Sequence, residues 1–123
     1  MIKKIDHFVI TTSDLKACAK FYEGLGFTLE DHGNYECLVA NDFKINVHLK
    51  NHELEPKANH VTRGSADFCF EVDDSIIELK SKIEKQGYQI EEGPVTRFGR
   101  HGEMTSIYLR DFDGNLVELA HYE

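Results

Sequence analysis

The second half of this 123-residue sequence repeats the plan of its first half. Each half opens with a short apolar run, which begins at His7 in the first half and at Asp67 in the second. A polar cluster that can cap a helix comes next, then a helical pattern, then a glycine followed by an aromatic residue. Near the end of each half, a strand-like run carries one more metal-ligand-type residue, His48 and Glu118. One structural unit is thus written twice, and we expect its four ligand-type residues at two pairs of equivalent strand positions.

The apolar periodicity predicts the order βαβββ, a linker, and βαβββ again. A first helix is expected from Asp14 to about Glu23 and a second from about Asp74 to Gln86, because apolar residues recur there at helical spacing. The stretch from Asn51 to Gly64 has no sustained period and is interpreted as the linker. We therefore predict a single domain over residues 1–123, with module one at about 1–50, the linker at about 51–64 and module two at about 65–123.

Size and charge restrict the partners of such a chain. A repeat of roughly 60 residues buries too small a share of its surface to be stable by itself, so the modules should share one sheet or pair with a second chain, and a homodimer is predicted. The net charge of −8 argues against nucleic acid and against an anionic membrane as partners. No apolar run is long enough to span a membrane and the N-terminus lacks the apolar stretch of a signal peptide, which predicts a cytoplasmic protein. The cysteines show no CxxC spacing and are expected to be reduced thiols: Cys18, Cys37 and Cys69.

Alternation along the predicted strands indicates where the ligand-type side chains point. His48 lies opposite the apolar residues of its run, Glu118 lies opposite those of the last run, and Asp67 lies opposite the phenylalanines that follow it. Both faces around His7 are mainly apolar, so alternation does not assign its direction. Three strands therefore keep one apolar face for packing and present a ligand-type residue on the reverse.

Motifs at the two ends of the chain carry a family resemblance. The first strand reads IDHFV at residues 5–9, and the last strand follows a turn in RDFDGNLVEL at residues 110–119. Together with the repeated βαβββ module, these motifs resemble the vicinal oxygen chelate superfamily, which includes glyoxalase I, extradiol dioxygenases, fosfomycin-resistance enzymes and bleomycin-binding proteins. Three further runs, KINVH at 44–48, EPKA at 55–58 and GSADFCF at 64–70, resemble its glyoxalase-domain-containing, virulence-type branch.

The resemblance implies an α+β fold in which two βαβββ modules form a curved, cup-like mixed sheet with the helices on its outer face. It also implies a metal site. His7 matches the first-strand histidine ligand, Glu118 matches the last-strand glutamate ligand, and His48 matches a ligand position at the end of the first module. Asp67 stands where most members carry a histidine, so it is either a ligand itself or a residue that orients His7 or His48.

Two imidazoles and one or two carboxylates suit Fe²⁺, Mn²⁺, Co²⁺, Ni²⁺ or Zn²⁺, and they leave coordination positions open for substrate oxygens. The resemblance thus implies a metal-dependent enzyme for a small substrate with vicinal oxygens, either a glyoxalase-like lyase or isomerase or an extradiol-type dioxygenase. Glu118 and Tyr108 would be its catalytic residues. The alternative is a non-catalytic small-molecule binder of the bleomycin-resistance type. A third interpretation, a metal-free descendant with polar remnants at the ligand positions, is kept open by Asp67.

Residues 92–104 form the main difference between the two halves. This segment is interpreted as a loop, and it carries the substrate-binding candidates Arg97, Arg100 and His101 among glycines. Either it is a mobile lid that binds an anionic substrate group, or it is a solvated hairpin whose arginines offset a negative surface. Tyr108 follows on the next strand, opposite apolar neighbours, and is expected to line the cavity. The remaining histidines are expected at the surface: His32, His52, His60 and His121.

Overall fold

A computed structural model describes all residues from Met1 to Glu123 and divides the chain into two compact units, unit 1 over Met1–Ser65 and unit 2 over Ala66–Glu123. Each unit has the order βαβββ, so the predicted repeat and the α+β class are confirmed. The elements, in chain order, are β1 (His7–Thr12), α1 (Leu15–Glu23), β2 (Thr28–Asp31), β3 (Glu36–Ala40), β4 (Phe43–Leu49), β5 (Asp67–Glu71), α2 (Ile76–Lys85), β6 (Glu92–Gly99), β7 (Gly102–Arg110) and β8 (Leu116–Tyr122).

Both helices begin at side-chain caps. Asp14 accepts a hydrogen bond from the backbone N–H of Ala17 (3.1 Å), and Ser75 accepts one from the N–H of Glu78 (3.3 Å). Such caps satisfy N–H groups that have no partner within the helix. In α2, Glu78 lies in the first turn and Lys85 in the last, which suits the helix dipole. Neither helix has the length and apolar character needed to span a membrane.

Unit 1 contains a four-stranded mixed sheet in the order β1-β4-β3-β2. The β1 and β4 strands are parallel, while the other two pairs are antiparallel. Alternation gives the sheet one apolar face and one more polar face. The core of unit 1 is formed by buried residues from α1, from the position just before β2 and from that apolar face: Cys18, Ala19, Tyr22, Phe27, Leu38, Ile45 and Val47.

Unit 2 repeats this topology in a sheet of order β5-β8-β7-β6, in which β5 and β8 are parallel. Its core again combines one helix face with one sheet face: Ile76, Leu79, Ile83, Ile107, Leu109, Val117 and Leu119. The reverse face of this sheet, here called the polar face of unit 2, carries Glu118. In unit 1 the corresponding polar face carries Asn46 and His48, whose side chains alternate with the buried ones of Ile45 and Val47.

The chain between Leu49 and Asp67, which includes the residues interpreted as a linker, contains no helix or strand. The prediction of a loop over residues 92–104 is wrong, because this segment forms the paired strands β6 and β7, with Gly99 opposite Gly102 at the tight turn. The hairpin alternative was the right one. Burial alternates residue by residue along β6, as expected for a strand whose two faces differ in exposure.

Candidate functional site

A row of four side chains crosses the polar face of unit 2, one from each strand. Strand register places Cys69 opposite Glu118, Glu118 opposite Tyr108, and Tyr108 opposite Glu92. Residues directly opposite each other in a sheet point to the same face, with their Cβ atoms about 5 Å apart. This set is called the Glu118 row below.

One carboxylate oxygen of Glu118 has no hydrogen-bond partner. Its Oε2 atom is buried, although Glu118 belongs to a strand that is itself fully paired. Buried polar atoms are nearly always hydrogen-bonded, so an orphaned carboxylate oxygen indicates a place for a cation, a donor or a water molecule. The neighbouring thiol shows the influence of the same environment. Burial, and next the negative charge of Glu118 and a hydrogen bond to it, raise the pKa of Cys69 to about 12.

Tyr108 links Glu118 to a surface ion pair. The Nε atom of Arg97 donates a hydrogen bond to the phenol oxygen of Tyr108 (2.9 Å), and its Nη2 atom donates to Oε2 of Glu92 (2.7 Å). Burial raises the pKa of the Tyr108 phenol, the hydrogen bond from Arg97 opposes this, and the charge of Glu118 raises it further. Tyr108 is therefore a protonated phenol at neutral pH, and a hydrogen bond to Glu118 also raises its pKa.

The turn between β7 and β8 fixes the register of Glu118. Asp111 accepts hydrogen bonds from the backbone N–H groups of Asp113 (3.0 Å) and Asn115 (2.9 Å), and from Nδ2 of Asn115 (2.7 Å). The Oδ1 atom of Asn115 in turn accepts from the backbone N–H of Ala66 (2.9 Å), just before β5. Both Asp111 and Asn115 are buried. The network thus joins the turn to the start of β5 and sets which residue of β5 lies beside Glu118.

Asp67, at the start of β5, shares the polar face of unit 2 with Glu118. It lies opposite Leu116, two residues before the position of Glu118 on β8, and it is exposed. Such diagonal neighbours have Cα atoms roughly 7–8 Å apart, within the combined reach of two carboxylate side chains. The structure therefore brings these two predicted ligand residues onto one face within reach of each other.

In unit 1, strand register separates His7 from His48. His7 lies opposite Lys44 at the start of β1, whereas His48 lies opposite Thr11 near its end. Four residues of parallel register correspond to about 13 Å along the strands. The Nδ1 atom of His7 lies 2.7 Å from Oδ1 of Asp6, and this hydrogen bond lowers the pKa of the Asp6 carboxyl.

Asn46, and not His48, occupies the position in unit 1 that Glu118 occupies in unit 2. His7 opens β1 and pairs with Lys44, and Asn46 follows Lys44 by two residues. In the same way, Asp67 opens β5 and pairs with Leu116, and Glu118 follows Leu116 by two residues. The expected equivalence of His48 and Glu118 is therefore wrong by two residues. The Oδ1 atom of Asn46 is also buried without a hydrogen-bond partner, which repeats the situation of Glu118.

The predicted substrate-binding residues lie at two places on the β6–β7 hairpin. Arg97 and Tyr108 are in contact, as described above, whereas Arg100 and His101 form the exposed turn. The backbone N–H of His101 donates to the phenol oxygen of Tyr122 (3.1 Å), and the two rings lie 5.8 Å apart edge to face. The structure thus places Arg97 in the neighbourhood of Glu118 through Tyr108, and it places the other two at the hairpin tip.

The sequence analysis did not identify several residues that the structure places at candidate sites. Glu92 belongs to the Glu118 row. Side-chain alternation counted back from Arg97 places Glu92 on the opposite face, because it does not allow for the register shift in β6 between Glu92 and Val95.

A separate group of possible ligands lies in unit 1: donor atoms of Glu30, His32 and Cys37 lie within 4.8 Å of one another. The i, i+2 spacing of Glu30 and His32 was a visible signal, since it places both on one strand face.

Comparison with known proteins identifies relatives over the whole chain. The family model of the Glyoxalase/Bleomycin resistance protein/Dioxygenase superfamily matches residues 4–119. Virulence protein STM3117 of Salmonella typhimurium strain LT2 is 45% identical over 99% of this chain and 86% of its own length. Glyoxalase domain-containing protein RDO1 of Mycosarcoma maydis is 41% identical over 99% of this chain and 70% of its own length. The crystal structure of STM3117 superposes with a TM-score of 0.97, over 100% of this chain and 99% of that one.

More distant structures share the fold alone. Lactoylglutathione lyase from Agrobacterium tumefaciens is 23% identical with a TM-score of 0.74, over 98% of this chain and 94% of that one. TnmS3, an antibiotic binding protein from Streptomyces sp. CB03234, is 19% identical with a TM-score of 0.75, over 99% of this chain and 98% of that one. A lyase and a binding protein therefore use the same scaffold. Given the family model and the relatives above 40% identity, the chain belongs to the Glyoxalase/Bleomycin resistance protein/Dioxygenase superfamily.

Proposed function

We propose that the protein is a divalent-metal-dependent enzyme that acts on a small substrate with two adjacent oxygens, either as a glyoxalase-like lyase or isomerase or as an extradiol-type dioxygenase. The observation that carries this proposal is the buried, unpartnered Oε2 atom of Glu118. A carboxylate oxygen without a donor is stabilised by a cation, and a divalent ion supplies two positive charges at that atom.

Two carboxylates of unit 2, Glu118 and Asp67, share a face and suit such an ion. The family resemblance implies His7 and His48 as further ligands, although strand register places these two histidines about 13 Å apart along β1 and β4. Oxygen and imidazole donors suit Fe²⁺, Mn²⁺, Co²⁺, Ni²⁺ or Zn²⁺, and such sites keep positions open for substrate. When bound, the ion would supply Lewis acidity toward two neighbouring substrate oxygens.

The surrounding side chains support proton transfer and anion binding. Glu118 is the carboxylate we assign to proton transfer, because Cys69 and Tyr108 on either side of it hold their protons at neutral pH. Tyr108 can donate a hydrogen bond to a substrate oxygen on the polar face. Arg97 offers a guanidinium for an anionic substrate group, but its pairing with Glu92 means that the substrate must displace a carboxylate to use it.

A second candidate is a non-catalytic small-molecule binder. Two departures from the expected ligand set favour it: Asp67 stands where a histidine is expected, and Asn46 stands at the unit 1 counterpart of Glu118. A neutral amide is a weaker metal ligand than a carboxylate or an imidazole. In this case the orphaned oxygen of Glu118 would accept a hydrogen bond from the bound molecule.

Metal analysis separates the two candidates. Protein purified without chelator is assayed for metal beside His7→Ala, His48→Ala, Asp67→Ala and Glu118→Ala, with Glu103→Ala, an exposed carboxylate on β7, as the matched control. The enzyme proposal expects the Glu118 and His7 variants to hold about one equivalent less than the parent and the control. Equal metal content in the parent, the control and all four variants, also after incubation with each of the five ions, would leave the binder as the function.

Substrate tests then separate the two reaction types. Metal-loaded protein is offered α-ketoaldehyde–thiol adducts, including the glutathione adduct, and vicinal aromatic diols under oxygen. Turnover of the glutathione adduct that persists in Arg100→Ala would remove that arginine from recognition of the tripeptide. No turnover of either class, despite bound metal, would contradict both enzymatic assignments.

We also propose that the chain acts as a single domain in a cytoplasmic homodimer. The small core available to each half supports association. Light scattering during gel filtration tests it, with twice the chain mass of 14.1 kDa expected and a monomer mass contradicting the proposal.

A further inference from the structure

We propose that Glu30, His32 and Cys37 form a second metal site, on β2 and β3 of unit 1, which takes a thiophilic divalent cation and Zn²⁺ foremost. The site shares no residue with the ligand set assigned above. Its existence therefore does not depend on the proposed enzymatic function.

Antiparallel pairing brings the three side chains together. Glu30 on β2 lies directly opposite Cys37 on β3, so both point to the polar face of unit 1. His32 follows Glu30 by two residues, and its backbone N–H donates to the carbonyl oxygen of Tyr35 (2.9 Å), which extends the strand pairing past the end of β2. His32 therefore returns to the same face as Glu30.

The donor atoms already lie close to a metal-binding arrangement. The three ligand atoms are within 4.8 Å of one another, and Nε2 of His32 lies 3.1 Å from Oε1 of Glu30. Around a tetrahedral Zn²⁺ with bonds of 2.0–2.3 Å, ligand atoms are about 3.5 Å apart. Side-chain rotations that move an atom by about 1 Å are enough to close the site. The ring of His32 is stacked on that of Tyr35 (5.1 Å), which limits its orientation.

The donor types select the ion. A thiolate favours Zn²⁺, Co²⁺ and similar ions over Mg²⁺ and Ca²⁺, and an imidazole with a carboxylate completes a three-ligand set. Asn46 lies directly opposite Cys37 on the other side, on β4, and its Oδ1 atom is buried without a hydrogen-bond partner. This oxygen is available for the fourth position, either directly or through a water molecule. The orphaned atom is thus a second observation that points to a missing ligand on this face.

Burial and the neighbouring charges shift the pKa of the Cys37 thiol. Burial raises the pKa of Cys37, the positive charge of Lys44 lowers it, and the negative charge of Glu30 raises it again. The ammonium group of Lys44 is occupied by Tyr35, whose phenol oxygen lies 3.3 Å away. Metal binding displaces the thiol proton, as it does at every cysteine ligand. Cys37 is fully buried, so it is protected from oxidation when no ion is bound.

Cobalt substitution tests the site in the full-length chain. Under reducing conditions, Co²⁺ bound through a thiolate gives a sulfur-to-metal charge-transfer absorption in the near ultraviolet, whereas Co²⁺ bound only through oxygen and nitrogen does not. We expect this band on addition of Co²⁺, with the intensity of one thiolate-bound ion per chain, and its removal by Zn²⁺ but not by Mg²⁺. The band should disappear in Cys37→Ser, and the Co²⁺ affinity should fall at least about tenfold in His32→Ala and Glu30→Gln.

The other cysteines supply matched controls, since the chain has three. Cys69→Ser, next to Glu118, should keep the band, and Glu118→Ala should keep it too, which separates this site from the ligand set of the proposed function. The His32 variant changes an exposed side chain and keeps the test valid should Cys37→Ser fail to fold. Absence of the band in the parent, its survival in Cys37→Ser, or its loss in Cys69→Ser would overturn the proposal.

Discussion

The thiol of Cys69 and the carboxylate of Glu118 lie directly opposite each other on the parallel strands β5 and β8. Burial is the main reason that the pKa of Cys69 rises to about 12, and the charge of Glu118 and the hydrogen bond to it add to the effect. Only the thiolate reacts with alkylating agents. Although the residue as a whole is partly open to solvent, the Cys69 thiol is desolvated and therefore reacts slowly at neutral pH.

Glu118→Gln should make Cys69 more reactive. Removing the negative charge lowers the pKa of the thiol, and each unit of pKa raises the thiolate fraction about tenfold at pH 8. Iodoacetamide labelling of the peptide that contains Cys69, followed by mass spectrometry, measures the rate. Glu71→Gln is the matched control, because Glu71 on the same strand has the smallest of the contributing effects. Equal rates in the parent and Glu118→Gln would show that the carboxylate does not act on the thiol.

The same raised pKa predicts a loss of stability at high pH. The folded protein holds the Cys69 proton up to about pH 12, whereas a cysteine of ordinary pKa, 9.0, releases it earlier, as in the unfolded chain. The stabilising effect is thus complete below pH 9 and is lost as the pH rises from 9 toward 12. Urea unfolding measures the free energy of unfolding at about pH 8 and about pH 10.5. This free energy should decline less between the two pH values in Cys69→Ala than in the parent. Parallel declines in the two proteins would exclude this linkage.

Asp111→Ala should destabilise the protein by about 2–4 kcal/mol, because it leaves buried N–H donors of the β7–β8 turn without an acceptor. Urea unfolding measures the change. Asp31→Ala is a suitable comparison, since Asp31 accepts a similar turn hydrogen bond from Gly33 (2.8 Å) at an exposed position. The free energy of unfolding of the Asp31 variant should fall by no more than about 0.5 kcal/mol. A similar loss in both variants would mean that burial of the Asp111 network adds nothing.

Gly93→Ala should destabilise more than Gly87→Ala. Both glycines have positive φ, 109° and 98° respectively, so both substitutions strain the backbone by about 1–2 kcal/mol. At Gly93 a Cβ would also lie 2.5 Å from the carbonyl oxygen of Ser106, whereas at Gly87 it would meet nothing within 4 Å. We expect Gly93→Ala to lower the free energy of unfolding by about 3 kcal/mol or more in total, as measured by thermal unfolding. Equal melting temperatures for the two variants would contradict this close approach of β6 to β7.

Side-chain alternation predicted the faces of the strands but not their register. The sequence placed His48 and Glu118 correctly on faces opposite the apolar residues of their strands. A slip of one residue would have moved either side chain into the core, and the pattern excludes it. A slip of two residues leaves every side chain on its own face. For this reason Asn46 and His48 could not be distinguished as the counterpart of Glu118 from the pattern alone.

Pairings between segments that are distant in the chain could not be predicted from the sequence. The contact of Cys37 with Glu30 depends on the length of the β2–β3 connection, and the hydrogen bond from Ala66 to Asn115 joins residues that are 49 positions apart. The helices, by contrast, were predicted nearly to the residue, because caps and apolar spacing are local signals. The loop assigned over residues 92–104 failed because glycines near a tight turn resemble those of a longer connection.

Two rows of side chains, one in each unit, cross the sheets at matching positions. The Glu118 row of unit 2 is Cys69, Glu118, Tyr108 and Glu92, and its counterpart in unit 1 is Val9, Asn46, Cys37 and Glu30. Each row lies across the hydrogen-bonded strands of its own sheet. The repeat therefore gives the chain two copies of one scaffold, whose matching positions carry different donor atoms: a carboxylate beside a phenol in unit 2, and an amide beside a thiol in unit 1.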